Sequence, residues 1–175
     1  MEDNQMKKIL VVVDFQNDFI DGTLGTREAV AIIPAVIEKI KSYPEHGRFA
    51  TQDTHFADYL STQEGKKLPV LHCQKDSNGW QIRPEAAIGY HKIFEKYTFG
   101  SIELAQYIKD EKIDQVEMIG ICTDICVVSN ALLIKAFAPE VEITVDAACC
   151  AGVSPEKHLA ALETMKSCQI NIINE

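Results

Sequence analysis

Aliphatic runs and amphipathic stretches alternate along the chain. Lys8–Val13 (KILVVV) is mostly a continuous aliphatic run rich in β-branched residues, the pattern of a strand buried on both faces, as in a parallel sheet. Arg48–Gln52, Lys92–Lys96, Gln115–Ile121, Glu142–Val145 and Ile170–Ile173 read as five further strands. Between them lie helical patterns. Within Ala29–Tyr43, Ile33, Val36, Ile37 and Ile40 share one face. Pro34 is tolerated only in a first turn, so the regular helix starts near Ile33, and Pro44 ends it. Ser101–Asp110 carries Leu104, Tyr107 and Ile108 on one side, and Asp124–Ala136 is apolar enough to be a well-buried helix. Ser154, with Pro155 just inside, caps a helix that runs to about Ser167. Glu156 suits its positive end, but Lys157 stands where a capping box needs an acid or amide. Strands alternating with helices predict an α/β fold: three layers, αβα, around a central, mostly parallel sheet.

Residues 53–90 break this rhythm. They hold Gly65, Pro69, Gly79 and Pro84 and show little periodicity. A short helix is expected at 56–62 and an active-site loop over the rest, because a loop this long in a compact fold is usually functional or disordered.

Composition narrows the function. A chain of 175 residues suits a single domain spanning 1–175. No apolar run approaches the roughly 20 residues that span a bilayer, which argues against a membrane protein. Met1–Lys8 is polar, and the apolar run after it is too short for a secretory signal. The net charge of -9 gives no basic footprint for nucleic acid and reads as a solvated acidic surface. The six cysteines are Cys73, Cys122, Cys126, Cys149, Cys150 and Cys168, with no CxxC spacing. With an ample apolar core and no export signal, they are expected to be reduced thiols of a cytoplasmic protein.

Chemistry gathers where the strands end. Asp14 follows the first strand, Asp53 and His55 the second, Lys96 closes the third, and Cys122, Thr123, Asp124 and Cys126 follow the fourth. Ligands of open parallel sheets bind at the carboxyl ends of the strands. Thr123 or Asp124 could cap the next helix and put Cys126 in its first turn, where unpaired N–H groups favour a thiolate and could hold an oxyanion. Cys126 is alternatively a small buried hydrophobe, the common fate of free cysteine. Asp14 at the end of an apolar strand is expected to be desolvated, with a raised pKa suited to taking a thiol proton; Asp18 is a rival. Lys96 could stabilise developing negative charge, or be a solvated strand-end lysine. Asp53, His55, Glu64 and His72 have the donor types for zinc, iron or manganese, although spacing alone does not distinguish them from scattered loop residues.

The ordered set Asp14-Phe15-Gln16-Asn17-Asp18-Phe19, Asp53-Thr54-His55, His72-Cys73, Lys96 and Gly120-Ile121-Cys122-Thr123-Asp124-Ile125-Cys126-Val127 resembles the isochorismatase-like cysteine hydrolases, the nicotinamidases in particular. The resemblance covers nearly the whole chain. It implies a triad of Asp14, Lys96 and Cys126 that hydrolyses a small amide through a thioester. It also implies an oxyanion hole from the N–H groups of Cys122 and Cys126, and a cis peptide at Ile121–Cys122. It further implies a divalent metal, zinc first, with iron or manganese as alternatives, held by Asp53, His55 and His72. Many relatives have another histidine where this chain has none, and Glu64 is placed to fill that role. Phe19 matches an aromatic that flanks the substrate ring. A tryptophan common shortly before the His72 position is missing from Leu68-Pro69-Val70-Leu71, and Phe99 or Trp80 could compensate.

The leading expectation is conversion of nicotinamide, or a close analogue, to the acid and ammonia. A related hydrolase of another amide or carbamoyl compound is the second. Isochorismatase chemistry, a vinyl-ether hydrolysis, would leave Cys126 without a role. A metal-binding scaffold would not need the triad, and a thiol-redox protein would use Cys122 with Cys126. The partners expected are a small-molecule amide and further copies of the chain in a homo-oligomer.

Overall fold

The computed structural model describes residues 7–175, so the polar stretch 1–6 lies outside the described residues. Six parallel strands form one sheet: β1 (Lys8–Val13), β2 (Arg48–Asp53), β3 (Lys92–Lys96), β4 (Gln115–Ile121), β5 (Glu142–Ala151) and β6 (Asn171–Ile173). Their order is β3-β2-β1-β4-β5-β6, and every pairing is parallel. Side chains alternate across the pleat. Ile9, Val11 and Val13 therefore enter one core with Phe49, Phe94 and Met118, and Leu10 and Val12 enter the other with Ala50, Ile119 and Ile121. The first core is closed by α5 (Ile102–Asp110), α6 (Val128–Phe137) and α7 (Pro155–Ser167), through Ile108, Ile134 and Met165. The second is closed by α1 (Asn17–Ile20), α2 (Arg27–Ala31) and α3 (Ile33–Lys41), through Ile20, Ala29, Val36 and Ile40. This is the three-layer αβα arrangement that the alternation predicts.

Several elements differ from expectation for identifiable reasons. α3 starts at Ile33 as the sequence predicts, but a further short helix, α2, precedes it, and the two meet at Ile32. Pro34 has no N–H for a preceding turn and sits at the start of α3, while the Thr26 hydroxyl starts α2 by accepting from Ala29 N–H at 3.0 Å. In place of a helix at 56–62 there is a 3₁₀ turn, Tyr59–Ser61, followed by α4 (Gln63–Lys67). α4 starts at Thr62, whose hydroxyl accepts from Gly65 N–H at 3.0 Å. β5 continues six residues beyond Val145, because Asp146 is buried on Lys39 at 2.8 Å and does not end the strand.

The helix expected from Asp124 is instead a wide, π-type turn over Thr123–Val127 that leads into α6. Neither Thr123 nor Asp124 caps it. The Thr123 hydroxyl meets His158 Nδ1 at 2.8 Å, and Asp124 Oδ1 accepts from Val153 N–H at 3.0 Å. The turn leaves β4 through a cis Ile121–Cys122 peptide. Just before it, Gly120 has φ +123°, and a Cβ there would fall 2.1 Å from the Val13 carbonyl oxygen. Only glycine lets β4 approach β1 this closely. The strand order reverses between β1 and β4, so the loops that begin with Asp14 and Cys122 flank the switch point where such sheets bind ligands.

Candidate active site

Register brings the first two groups together. Asp53 and Lys96 are paired residues at the ends of β2 and β3. Lys96 Nζ reaches Asp53 Oδ1 at 3.1 Å, Asp14 Oδ2 at 2.6 Å, the Thr98 carbonyl at 2.9 Å and Cys126 Sγ at 3.5 Å. Asp14 and Lys96 are buried, at 0% and 3% exposure, so this is a desolvated ion pair. Asp14 leaves β1 in the left-handed region at φ 45°, a conformation aspartate tolerates better than most residues. Its Oδ1 accepts from the Thr51 hydroxyl at 2.6 Å. Asp18, the rival carboxylate, is turned to Cys73 N–H at 2.7 Å instead.

The electrostatics differ from a thiolate held at a helix end. Burial, reinforced by the negative charge of Asp14, pushes the Cys126 thiol well above its ordinary range, against the pull of Lys96. Burial also raises the Asp14 carboxyl, with Lys96 opposing. Burial works against the Lys96 charge, but Asp14, Cys126 and Asp53 outweigh it and hold the ammonium firmly. Burial thus disfavours a free thiolate at Cys126 and raises the basicity of Asp14, beside a firmly held cation. A thiol so placed can pass its proton to Asp14 as it attacks, without a free thiolate beforehand.

Asp53 faces a second group. Donor atoms of Asp53, His55 and His72 lie within 4.8 Å of one another, all buried. His55 Nε2 stands 3.0 Å from Asp53 Oδ2, and His72 Nε2 stands 3.7 Å from it. Glu64, from α4, lies outside this tight trio but faces both imidazoles, at 3.6 and 3.8 Å. His72 Nδ1 is 2.8 Å from the Val70 carbonyl, which fixes the proton on Nδ1 and turns the Nε2 lone pair into the cluster. His55 Nε2 is buried, and its approach to Asp53 at 3.0 Å is a close contact that does not form a well-directed hydrogen bond. A buried imidazole nitrogen without a well-directed hydrogen bond, facing a second imidazole and two carboxylates, fits a divalent cation of the zinc, iron or manganese type.

Both groups open into one cavity of about 390 Å³. Asp53, Glu64, His72, Cys122 and Cys126 line its reactive side, and Phe19, Leu24, Leu68, Phe99, Ile125 and Val153 its apolar side. The Phe19 ring lies 5.6 Å from that of His72. Trp80 is placed elsewhere: its indole N–H donates to the Thr54 hydroxyl at 2.9 Å, and it does not line this cavity. The Cys122 carbonyl accepts from the N–H groups of Ile125 and Val127, two bonds that straddle Cys126.

Sequence reasoning missed the supports. The Gln16 side chain clamps Asp53, accepting from its N–H at 2.8 Å and donating to its carbonyl at 2.8 Å. Asn130 donates to the carbonyls of Cys126 and Phe99, at 2.8 and 3.1 Å, and accepts from Ser101 N–H at 2.9 Å. The available signal was an amide where an apolar residue belongs: Asn130 shares the buried face of its helix with Ala131 and Ile134.

Residues 8–174 match the isochorismatase domain family. The chain is 26% identical over 184 residues to the nicotinamidase/pyrazinamidase of Mycobacterium tuberculosis, covering 95% of this chain and 98% of that protein. The crystal structure of the pyrazinamidase of Pyrococcus horikoshii in complex with zinc superposes with a TM-score of 0.79 at 29% identity, over 97% of this chain and 99% of that one. The N-carbamoylsarcosine amidase of Thermoplasma acidophilum superposes with a TM-score of 0.79 at 25% identity, over 95% of each chain.

Proposed function

The chain belongs to the isochorismatase domain family and is a hydrolase of amide C–N bonds; from that premise we propose that it converts nicotinamide to nicotinate and ammonia. The carrying observation is the Lys96 ammonium, 2.6 Å from Asp14 and 3.5 Å from Cys126, which lines the same cavity as Asp53 and His72 of the imidazole cluster.

In this reading the amide carbonyl carbon lies against Cys126 Sγ. The thiol proton passes to Asp14 as the C–S bond forms. The backbone N–H groups of Cys122 and Cys126 receive the negative oxygen. Asp14 then protonates the departing nitrogen, and ammonia leaves a thioester on Cys126. Water, deprotonated by Asp14, attacks that thioester, and the thiol regains its proton as the acid leaves. Lys96 keeps its charge throughout and holds Asp14 in place. Phe19 and Phe99 flank the ring. Asp53, His55 and His72, with Glu64 facing them, would hold a divalent ion, which would supply Lewis acidity to the substrate.

Residues 1–175 are read as one domain, a reading supported by the single sheet and its two flanking cores. Among the described residues no helix is long and apolar enough to cross a membrane. A cytoplasmic location is supported by the cysteines, all of them free. Assembly into a homo-oligomer is supported by exposed Phe56, Leu60, Tyr97 and Ile102, and light scattering that gives a monomer at micromolar concentration would remove it.

Ammonia release from nicotinamide by metal-loaded, metal-stripped and Cys126→Ala protein tests the reading. Release that needs both metal and Cys126, and survives Cys122→Ala, supports it. The likeness to N-carbamoylsarcosine amidase supports a second substrate class, carbamoyl compounds. Metal-loaded protein that leaves nicotinamide intact would transfer the assignment to that class.

A further inference from the structure

The segment that delivers Glu64, Leu68 and His72 is wound around one buried side chain, Tyr59, which is 1% exposed. The Tyr59 ring packs on both imidazoles of the cluster, 4.5 Å from His55 and 5.1 Å from His72, nearly perpendicular to the latter at 82°. Its hydroxyl donates to the Leu68 carbonyl at 2.9 Å, and Leu68 forms part of the cavity wall. Its own carbonyl accepts from both the N–H and the hydroxyl of Thr62, at 2.9 and 2.7 Å. That carbonyl also packs under Gly65, where a Cβ would fall 2.0 Å away.

A continuous hydrogen-bonded chain closes the loop. His72 Nδ1–H donates to the Val70 carbonyl at 2.8 Å, and Val70 N–H donates to the Leu68 carbonyl at 2.8 Å. The same carbonyl takes the Tyr59 hydroxyl.

We propose that Tyr59 is a positioning residue that couples metal occupancy at the His55 and His72 imidazoles to the order of the cavity wall at Leu68. The inference rests on the metal-centre part of the proposed function. A cation that fixes the His72 ring fixes the Val70 carbonyl through Nδ1, the Val70 N–H passes that constraint to the Leu68 carbonyl, and the Tyr59 hydroxyl pins the same carbonyl in place. The ring and the hydroxyl have separable tasks: the ring restrains the imidazoles, and the hydroxyl restrains the wall.

Zinc affinity and amide hydrogen exchange with and without zinc test this in full-length parent, Tyr59→Phe and Tyr59→Leu proteins. In the parent, zinc is expected to slow exchange at Leu68 and Val70 at least tenfold. Tyr59→Phe is expected to bind zinc as the parent does but to lose most of that slowing. Tyr59→Leu is expected to weaken zinc binding about 10- to 100-fold. Tyr59→Phe with the parent's full slowing would overturn the hydroxyl's role, and Tyr59→Leu with the parent's affinity would overturn the ring's; the metal centre would stand in both cases. A parent that takes up no zinc, manganese or iron would remove the metal centre and this inference together.

Discussion

Asp53 and Lys96 are register partners on adjacent parallel strands, and their side chains meet at 3.1 Å. The other oxygen of Asp53 faces His55 at 3.0 Å. One carboxylate therefore belongs both to the ion-pair network beside Cys126 and to the imidazole cluster. Lys96 first, then His55, hold it below the usual carboxylate range against the cost of burial.

Asp53→Asn is expected to damage both groups at once. Metal content after dialysis should fall with an affinity loss of about 10- to 100-fold or more, and added metal should not restore kcat. His72→Ala should lose metal but regain part of its kcat at high metal concentration. Elemental analysis beside metal-rescue kinetics separates the two, and full rescue of Asp53→Asn would show that the shared carboxylate matters only to the metal.

Lys96→Met removes the cation between two buried carboxylates. Breaking a buried pair costs about 3–5 kcal/mol, and urea unfolding should show a loss near that size at pH 8. The loss should shrink at pH 5. The Asp14 pKa in the folded state is raised above 3.8 by burial and loses its opposing cation in the variant. The folded variant then holds a proton that the unfolded chain has released, and stability falls as pH rises. A deficit independent of pH would rule out Asp14 as the uncompensated group.

Asn130→Ala leaves the carbonyls of Cys126 and Phe99 and the Ser101 N–H without their partner. Stability should drop by about 1–3 kcal/mol. Misplacement of Cys126 should lower kcat by up to about 100-fold, with a smaller change in KM. Stopped-flow and steady-state rates on folded protein check this, and an unchanged kcat would reduce Asn130 to a purely structural tie.

Glu117 gives a pH signature far from the chemistry. It bonds Lys39 at 2.6 Å and the Tyr43 hydroxyl at 2.5 Å. Burial would raise its pKa, but Lys39 and Tyr43 together lower it below 4.5. Its contribution to stability is present above pH 4.5 and is lost as pH falls through the lower folded value. Glu117→Gln should be less stable by about 1–3 kcal/mol at pH 7, with the gap to the parent closing below pH 4.5 in urea titrations.

The sheet and the strand-end groups were legible because each rests on a local pattern. An aliphatic run ends at Asp14 and shorter strand patterns end at Asp53 and Lys96, and parallel pairing must bring such ends to one edge. The supports were illegible because they join distant segments: Gln16 and Asp53 are 37 residues apart, and nothing periodic marks their meeting. Cys126 stood out, but for a helix cap that the wide turn replaces, since Thr123 and Asp124 bond outward to His158 and Val153. Glu64 rides a five-residue helix that shows no periodicity and starts from a single Thr62 bond. Trp80, the one tryptophan of the chain, invited a substrate role but instead supports Thr54.

Lys96 ends β3, and β3 is the outermost strand of the sheet, laddered only to β2. Edge strands open at lower free energy than the strands they flank. A fraying event too small to disturb the helices can thus draw the ammonium away from Asp14 and Cys126. Hydrolysis is expected to fail at a lower urea concentration than the far-ultraviolet dichroism midpoint, and coincident curves would mean that the edge opens only with the whole sheet. The working lifetime of the enzyme is then set by one peripheral strand, and tightening that strand would prolong activity without any change to the core.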